Sequence, residues 1–334
     1  MRSKWLPLLF IPVIAVGIIL AVYLSQSASA SSSSPAEETR IQLAWTHEYS
    51  SAPFYTAEYN GHFAAENLRV QLQEGGFGEN GYIEPIDEVV EGRVDFAMGN
   101  ASSLILARAQ GKPVVALLAV LQRSPTALVS LAEDNILRPS DLLGHTVAVS
   151  DGGATQKYNV LLTSQSLDSA EINTISRTTY GIEPLMTGEA DVLMGWLINE
   201  GAQVREAGYE PNIMLLSDYG IESYDFLLFT TATMVDERPD LVERVVSAVI
   251  HGMEDVVANP TQAIDYVLRY APDLDREGQQ RRLELTIPLM NPAGSSLGMM
   301  NPEIWENVQQ MMLDEGELTE PMDLSSVYTL EFVQ

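Results

Sequence analysis

Two tryptophans in this chain stand in matched surroundings. Trp45 follows the apolar run Ile41 to Ala44, and Trp196 follows Val192 to Gly195. An indole at the end of a strand can leave the sheet and offer a π-face to a planar ring, with a few polar neighbours to orient it. Core packing is the other use of such rings. His47 and Glu48 adjoin Trp45 and could hydrogen-bond a ligand. Adjacent His-Glu is poor metal spacing and the other histidines are scattered, so no metal site is expected. Arg123, in Gln122-Arg123-Ser124-Pro125, could pair with a carboxylate or phosphate on a ligand, or form a salt bridge at an edge. Asp151-Gly152-Gly153-Ala154-Thr155 follows one apolar run and opens a helical one. Free N–H groups around Gly153 and Thr155 can receive an anion or a carbonyl there. No Gly-Lys-Ser/Thr follows, so this is not a P-loop. Asn100 and Ser102 hold the corresponding helix start after Gly99, where capping is the alternative role. Asp218-Tyr219-Gly220 could add a ring or hydroxyl. Met299, Met300, Met311 and Met312 suit a core better than a cofactor.

The elements that must position these groups alternate in type. IQLAW (41–45), LRVQLQ (68–73), VDFAM (94–98) and the apolar PVVALLAVL (113–121) read as strands. Between them, Pro53 to Glu66, Ile86 to Glu91 and Ala101 to Gln110 read as helices. TVAVS (146–150), Thr155 to Gln165, VLMG (192–195), Asn199 to Ala207 and NIMLL (212–216) repeat the scheme. Such alternation predicts an α/β fold with largely parallel sheets. Ile86 to Gly99, IDEVVEGRVDFAMG, aligns without a gap on Ile182 to Gly195, IEPLMTGEADVLMG, 96 residues later. The match predicts two similarly built lobes, unless one common αβ unit has simply recurred. The carboxyl ends of open α/β sheets bind ligands, so the residues just after each copy become candidates: Asn100 to Ser103, and Trp196 to Asn199. TALVSLA (126–132) and DFLLFTT (225–231) flank the second lobe and could pair as two crossover strands. Pro239 to Val257, Pro260 to Tyr270, Glu277 to Thr286 and Pro302 to Asp314 read as helices that finish the first lobe, with prolines suited to first turns. The expected division is 1–39 for a leader and linker, 40–128 and 227–334 for the first lobe, and 129–226 for the second.

Arg2 and Lys4 precede a charge-free stretch, Trp5 to Leu24, and then a Ser/Ala-rich run to Ser34. Ala28-Ser29-Ala30 has the small-x-small form of a signal-peptidase site. Export is expected, either with cleavage near Ala30 or with the apolar segment kept as a membrane anchor. The net charge of −28 argues against nucleic acid and against docking on anionic lipid. The absence of cysteine excludes disulfides, thiolate sites and a lipid-modified N-terminal cysteine.

From Leu43-Ala44-Trp45 and Ala52-Pro53-Phe54-Tyr55-Thr56-Ala57 onward, the chain resembles a known family. The likeness continues through Asn60 to Val70, Glu74-Gly75-Gly76, Gly92 to Gly99 and Ala107 to Val115. Ser217 to Ile221, Ala258-Asn259-Pro260 and Met300-Asn301-Pro302 with Trp305 extend it. The family is the thiamine-pyrimidine-precursor-like branch of ABC-transporter substrate-binding proteins, with riboflavin- and sulfonate-binding relatives. It implies a type II periplasmic-binding-protein fold: two lobes with a central cleft that closes on a small-molecule ligand. It also implies an ABC permease and ATPase as partners and no cofactor, and a monomer is expected. By position it implies Trp45, Tyr49, Asn100, Arg123, Trp196, Asn199 and Tyr219 as the lining around a flat heterocycle such as a pyrimidine precursor or a flavin. Many relatives carry His where Arg123 stands, which puts the ligand's identity in question. Closure is expected to hinge on 126–132 and 225–231.

Other functions remain to be weighed. Small anions such as sulfonate or nitrate are the alternative ligands. Thiamine pyrimidine synthases share the fold but use an active-site His, a pyridoxal-phosphate Lys and a Cys-rich motif. Here Ser51 stands in place of that His, there is no Cys, and Lys4, Lys112 and Lys157 are the only lysines. A ligand sensor is a further alternative and would need a separate signalling partner.

Overall fold

The computed structural model describes residues 35–333 apart from 79–80, 151–152 and 178–180. Contacts divide the chain into Met1–Glu37 and Glu38–Gln334, and the fold below is that of the second unit. The expected leader, signal-peptidase site and most of the Ser-rich linker lie outside the described residues, as do Asp151 and Gly152. Residues 37–39 belong to a strand rather than to a linker.

The chain opens with β1 (Glu37–Gln42), α1 (Ala52–Tyr59), α2 (His62–Ala65), β2 (Leu68–Gln73), β3 (Phe77–Gly78), β4 (Gly81–Tyr82), α3 (Pro85–Val90), β5 (Phe96–Gly99), α4 (Ala101–Ala109) and β6 (Val114–Ala119). It continues with β7 (Thr126–Leu131), β8 (Thr146–Val149), α5 (Gly153–Ser164), β9 (Asn173–Ser176), α6 (Glu183–Thr187), β10 (Val192–Trp196), α7 (Ala202–Glu206) and β11 (Pro211–Leu215). It returns through β12 (Leu227–Thr231), α8 (Ala232–Glu237), α9 (Pro239–Ala258), α10 (Pro260–Tyr270), α11 (Arg276–Met290) and α12 (Pro302–Asp314).

Two five-stranded sheets form among the described residues, ordered β2-β1-β5-β12-β6 and β9-β8-β10-β7-β11. The orders correspond strand for strand. β5 and β10, the strands of the matched sequence segments, hold the same central place. On one side each pairs in parallel with an earlier strand, β1 or β8. On its other side each meets an antiparallel strand delivered by a crossover, β12 or β7.

Several expectations need correction. TALVSLA and DFLLFTT do not pair with each other: β7 lies between β10 and β11, and β12 between β5 and β6. Both are buried inside their sheets, where ladder hydrogen bonds on both sides leave a strand little freedom to hinge. The links between sheets are 120–125 and 216–226. β1 stops at Gln42, so Trp45 lies beyond the strand end. The chain there stays tied to the exit of β2, through Leu43 N–H to Gln73 O and Gly75 N–H to Trp45 O. Pro53 to Glu66 is not one helix. It breaks between α1 and α2 at Asn60-Gly61, where Gly61 takes φ +82°.

Helices cover both faces of the first sheet. α9 is buried at Leu241, Val242, Val245, Val246, Val249, Met253 and Val256, a stripe at three- and four-residue spacing. Each such side chain contributes about 1.5–3 kcal/mol when fully buried. α9 crosses α1 at Gly252, where a Cβ would collide with the Pro53 carbonyl. That close crossing anchors the start of α1, and with it the loop that carries Trp45 to Ser51. On the opposite face, α4 and α12 pack with Trp305, Val308, Met300 and Met312 in one core. Met299 and Met311 lie at core margins. The apolar edge strand β6 is covered by return segments: Ala116 N–H donates to Val327 O, and Ala119 N–H to Gly298 O. The second sheet has its own core on each face.

Candidate functional site

A cleft of about 540 Å³ lies at the carboxyl ends of β5 and β10. Its volume suits a small organic ligand. From the first lobe it is lined by Trp45, Glu48, Tyr49, Tyr82, Glu84, Asn100 and Ser103, and from the second by Trp196 and Asn199; Asp225 and Phe226 close it from a crossover.

Local geometry explains each placement. At the end of β5, Asn100 has extended backbone and its Oδ1 accepts the Ser103 N–H at 2.9 Å, which caps α4. The cap starts α4 at the cleft, and Ser103 of its first turn joins the lining. At the end of β10 the exit is different. Trp196 is the last strand residue, and a π-helical turn over Leu197–Gly201 follows before α7. Within that turn Glu200 is buried and pairs with Arg177 at 2.7 Å, with side chains 8% and 3% exposed. Arg177 also donates to the carbonyls of Met194 and Gly181, and Glu200 Oε2 accepts the Trp196 N–H at 2.7 Å. This buried pair fixes the backbone on which Trp196 stands. The indole meets Phe226 edge-on, with centroids 5.6 Å apart.

Across the cleft Trp45 is 41% exposed and meets Phe77 edge-on at 5.9 Å; Phe77 in turn meets Tyr82 at 5.6 Å. Phe77 and Tyr82 lie on the small β3-β4 hairpin and are both exposed. Tyr49, buried, spans the two lobes: its hydroxyl donates to Asn199 Oδ1 at 3.1 Å, while its N–H donates to Gln279 Oε1 at 2.8 Å. Burial raises the Tyr49 phenol far above its ordinary value, with Glu48 adding to the rise, so it stays a neutral donor.

Seven of the sequence candidates meet on this cavity: Trp45, Glu48, Tyr49, Asn100, Ser103, Trp196 and Asn199. The others lie elsewhere. His47 Nδ1 hydrogen-bonds the Tyr55 hydroxyl at 2.8 Å and its ring packs on Tyr270; burial lowers its pKa. Ser102 is one residue off the lining, which takes Ser103. Thr155 Oγ1 donates to Ser150 O, tying the start of α5 to the end of β8, and Thr155 is not in the lining, while the Gly153 candidate is not among the residues whose surroundings are described. Tyr219 packs against the core of the second sheet. Arg123 bridges the two crossovers, donating to Ser217 Oγ at 2.6 Å and Asp218 Oδ1 at 2.7 Å. The salt bridge weighed from the sequence is therefore formed.

Tyr82, Glu84, Asp225 and Phe226 were not singled out as cleft residues. They reach the cleft through a hairpin and a crossover that no local pattern foretells. The lining carries three carboxylates and no Lys or Arg among the described residues. Asp225 is neutralised by Lys157 at 3.1 Å and accepts from Ser124 at 2.5 Å. No cluster of metal-binding side chains forms among the described residues.

The family model described as NMT1/THI5 like matches residues 48–263. The chain is 26% identical over 305 residues to riboflavin-binding protein RibY of Chloroflexus aurantiacus, covering 89% of this chain and 86% of that one. It is 25% identical over 319 residues to the formylaminopyrimidine-binding protein of Halalkalibacterium halodurans, covering 92% and 95%. A 4-amino-5-hydroxymethyl-2-methylpyrimidine phosphate synthase of Legionella pneumophila is 21% identical over 300 residues, covering 88% and 91%. Among solved structures, the periplasmic aliphatic sulphonate binding protein SsuA of Escherichia coli matches with TM-score 0.66 at 14% identity, covering 89% and 94%. The desulfurization enzyme DSZB matches with TM-score 0.62 at 14% identity, covering 88% and 97%. These likenesses assign the fold as that of periplasmic binding proteins, with two lobes and a central cleft. The shared scaffold carries binders and enzymes alike, so function has to be argued from the site.

Proposed function

Because this chain belongs to the NMT1/THI5-like family, we propose that it is an extracytoplasmic solute-binding protein that captures a flat heterocycle in its cleft for an ABC importer. The observation that carries this reading is the cleft's aromatic lining. Trp45 and Tyr49 come from one lobe and Trp196 from the other, around a cavity of about 540 Å³. A ligand between them gains contacts from both lobes only when they are close, so binding favours the closed state. The links at 120–125 and 216–226 are the hinge in this reading. They are joined by Val120 N–H to Phe226 O and by the Arg123–Asp218 pair. The two lobes are divided near Thr126 and Phe226.

The relatives named for riboflavin and formylaminopyrimidine support a planar cargo. Catalysis of the pyrimidine-synthase kind is not part of the proposal. Lys157 is engaged by Asp225 of the lining, and Ser51 holds the place of the active-site His. Export rests on the N-terminal sequence pattern. No helix among the described residues is long and apolar enough to cross a membrane.

A thermal-shift screen with riboflavin, 4-amino-5-hydroxymethyl-2-methylpyrimidine, thiamine and an alkanesulfonate tests the reading. A ligand that binds only the folded state raises the melting temperature with concentration. A planar heterocycle should do so, with compaction in solution scattering. A shift from the sulfonate alone would overturn it.

A further inference from the structure

We propose that Glu48 is the specificity-determining residue of this cleft, accepting an amino or ring N–H donor at the edge of the bound heterocycle and excluding phosphorylated or sulfonated ligands. This deepens the proposed function and rests on it.

The positive groups around the cleft are already engaged. Arg123 pairs with Asp218, Lys157 with Asp225, Arg177 with Glu200, and Arg282 with Glu206. None of the four lines the cavity, whereas Glu48, Glu84 and Asp225 do. An anionic ligand would therefore meet carboxylates with no free cation in the lining among the described residues, in a chain of net charge −28. A ligand with N–H donors, neutral or cationic, meets acceptors instead.

Among the three carboxylates Glu48 is the one placed to read the ligand. Asp225 is ion-paired, and Glu84 is exposed on the rim. Glu48 is half-buried, without a salt bridge among the described residues, between Trp45 and Tyr49 in the chain. Its hydrogen bond within the described protein comes from Ser50 Oγ to Oε1 at 2.9 Å. No side-chain hydrogen bond among the described residues takes Oε2, so a ligand in the cavity that Glu48 lines can use it. Burial raises the Glu48 pKa, only partly opposed by Ser50 and the more distant Arg282. The protein thus keeps a carboxyl where folding alone disfavours its charge, as binding sites commonly do.

Two matched probe pairs test the proposal by calorimetric titration: 4-amino-5-hydroxymethyl-2-methylpyrimidine with its phosphate ester, and riboflavin with flavin mononucleotide. The uncharged member of at least one pair should bind, and its phosphate ester should bind about 100-fold or more weakly. Glu48→Gln should weaken the uncharged probe about 10- to 100-fold, the range of a hydrogen bond to a charged group. It should also narrow the discrimination against the ester, with no loss of melting temperature in the unliganded protein. A phosphate ester bound within about threefold of its parent, or an unchanged affinity in Glu48→Gln, would overturn the inference while leaving the heterocycle reading intact. Binding by none of the four probes would remove both.

Discussion

At the end of β5, Gly99 packs under Phe229 and Leu104, and Asn100 turns the chain at once into α4. At the end of β10, Gly195 lies against Glu200, and the chain runs one residue further to Trp196 before a π-helical turn. The two exits begin from aligned sequence segments and hold equivalent places in their sheets. The first is organised by a cap between residues three apart. The second depends on a buried ion pair between Arg177 and Glu200, 23 residues apart. The comparison separates what a repeated αβ unit specifies from what each lobe adds. The unit specifies helix, strand and a close-packed glycine. The next few residues decide whether the lobe offers the cleft a polar helix start or an aromatic ring on a rigid base.

Breaking the second exit should cost far more than breaking the first. Arg177→Ala strands Glu200 as a buried, uncompensated charge and should destabilise by about 3–5 kcal/mol, read as a lower urea midpoint. An effect as small as that of removing the Asn100 cap would show that the ion pair does not organise this exit. The glycines give a second contrast. A Cβ at Gly195 would stand 2.5 Å from Glu200 Oε2, which Arg177 and Trp196 hold in place, whereas at Gly99 the nearest atoms are side-chain carbons at 3.0–3.1 Å. Gly195→Ala should therefore cost more than Gly99→Ala, within the roughly 1–3 kcal/mol range of overpacking. Equal midpoints for the two variants would contradict the difference. Asn100→Ala should cost about 1 kcal/mol, the typical value of an N-cap, with the loss confined to the first lobe. Amide exchange in α4 and α5 of that variant would show whether it is.

The smallest effect concerns pH. Glu48 has a folded-state pKa raised by burial, with Tyr49, Tyr55 and Arg282 as its titratable neighbours. The folded protein thus holds the proton more tightly than the unfolded chain. Stability from this group is present below the ordinary glutamate range and is lost as pH rises through the raised value. The stability of Glu48→Gln relative to the parent should therefore increase with pH across that window and then level off. A difference independent of pH would mean that Glu48 titrates normally.

Much of this scaffold was legible because apolar runs and helix-start prolines are local signals. The segments at 68–73, 101–110 and 239–257 form the elements their patterns predict, and the aligned segments led to equivalent strands. Trp45 and Trp196 were legible as cleft residues because each follows a strand-like run, at the end where such sheets bind ligands. What was not legible depends on distant partners. β1 ends early because its continuation bonds to the exit of β2 and bends away. Arg123 looked available for a ligand until the second crossover brought Asp218 beside it. Tyr219 belongs to a short turn packed on the second core, which its neighbouring residues do not announce. Asp225 and Phe226 enter the cleft only because β12 inserts beside β5.

The central claim is that one ligand ring is held by aromatic side chains from both lobes. Calorimetric titration of the riboflavin or aminopyrimidine probe into Trp45→Ala, Trp196→Ala and the double variant tests it most directly. Each single change should weaken binding about tenfold or more, and the double change should abolish measurable binding while the fold persists. Unchanged affinity in the double variant would contradict the account.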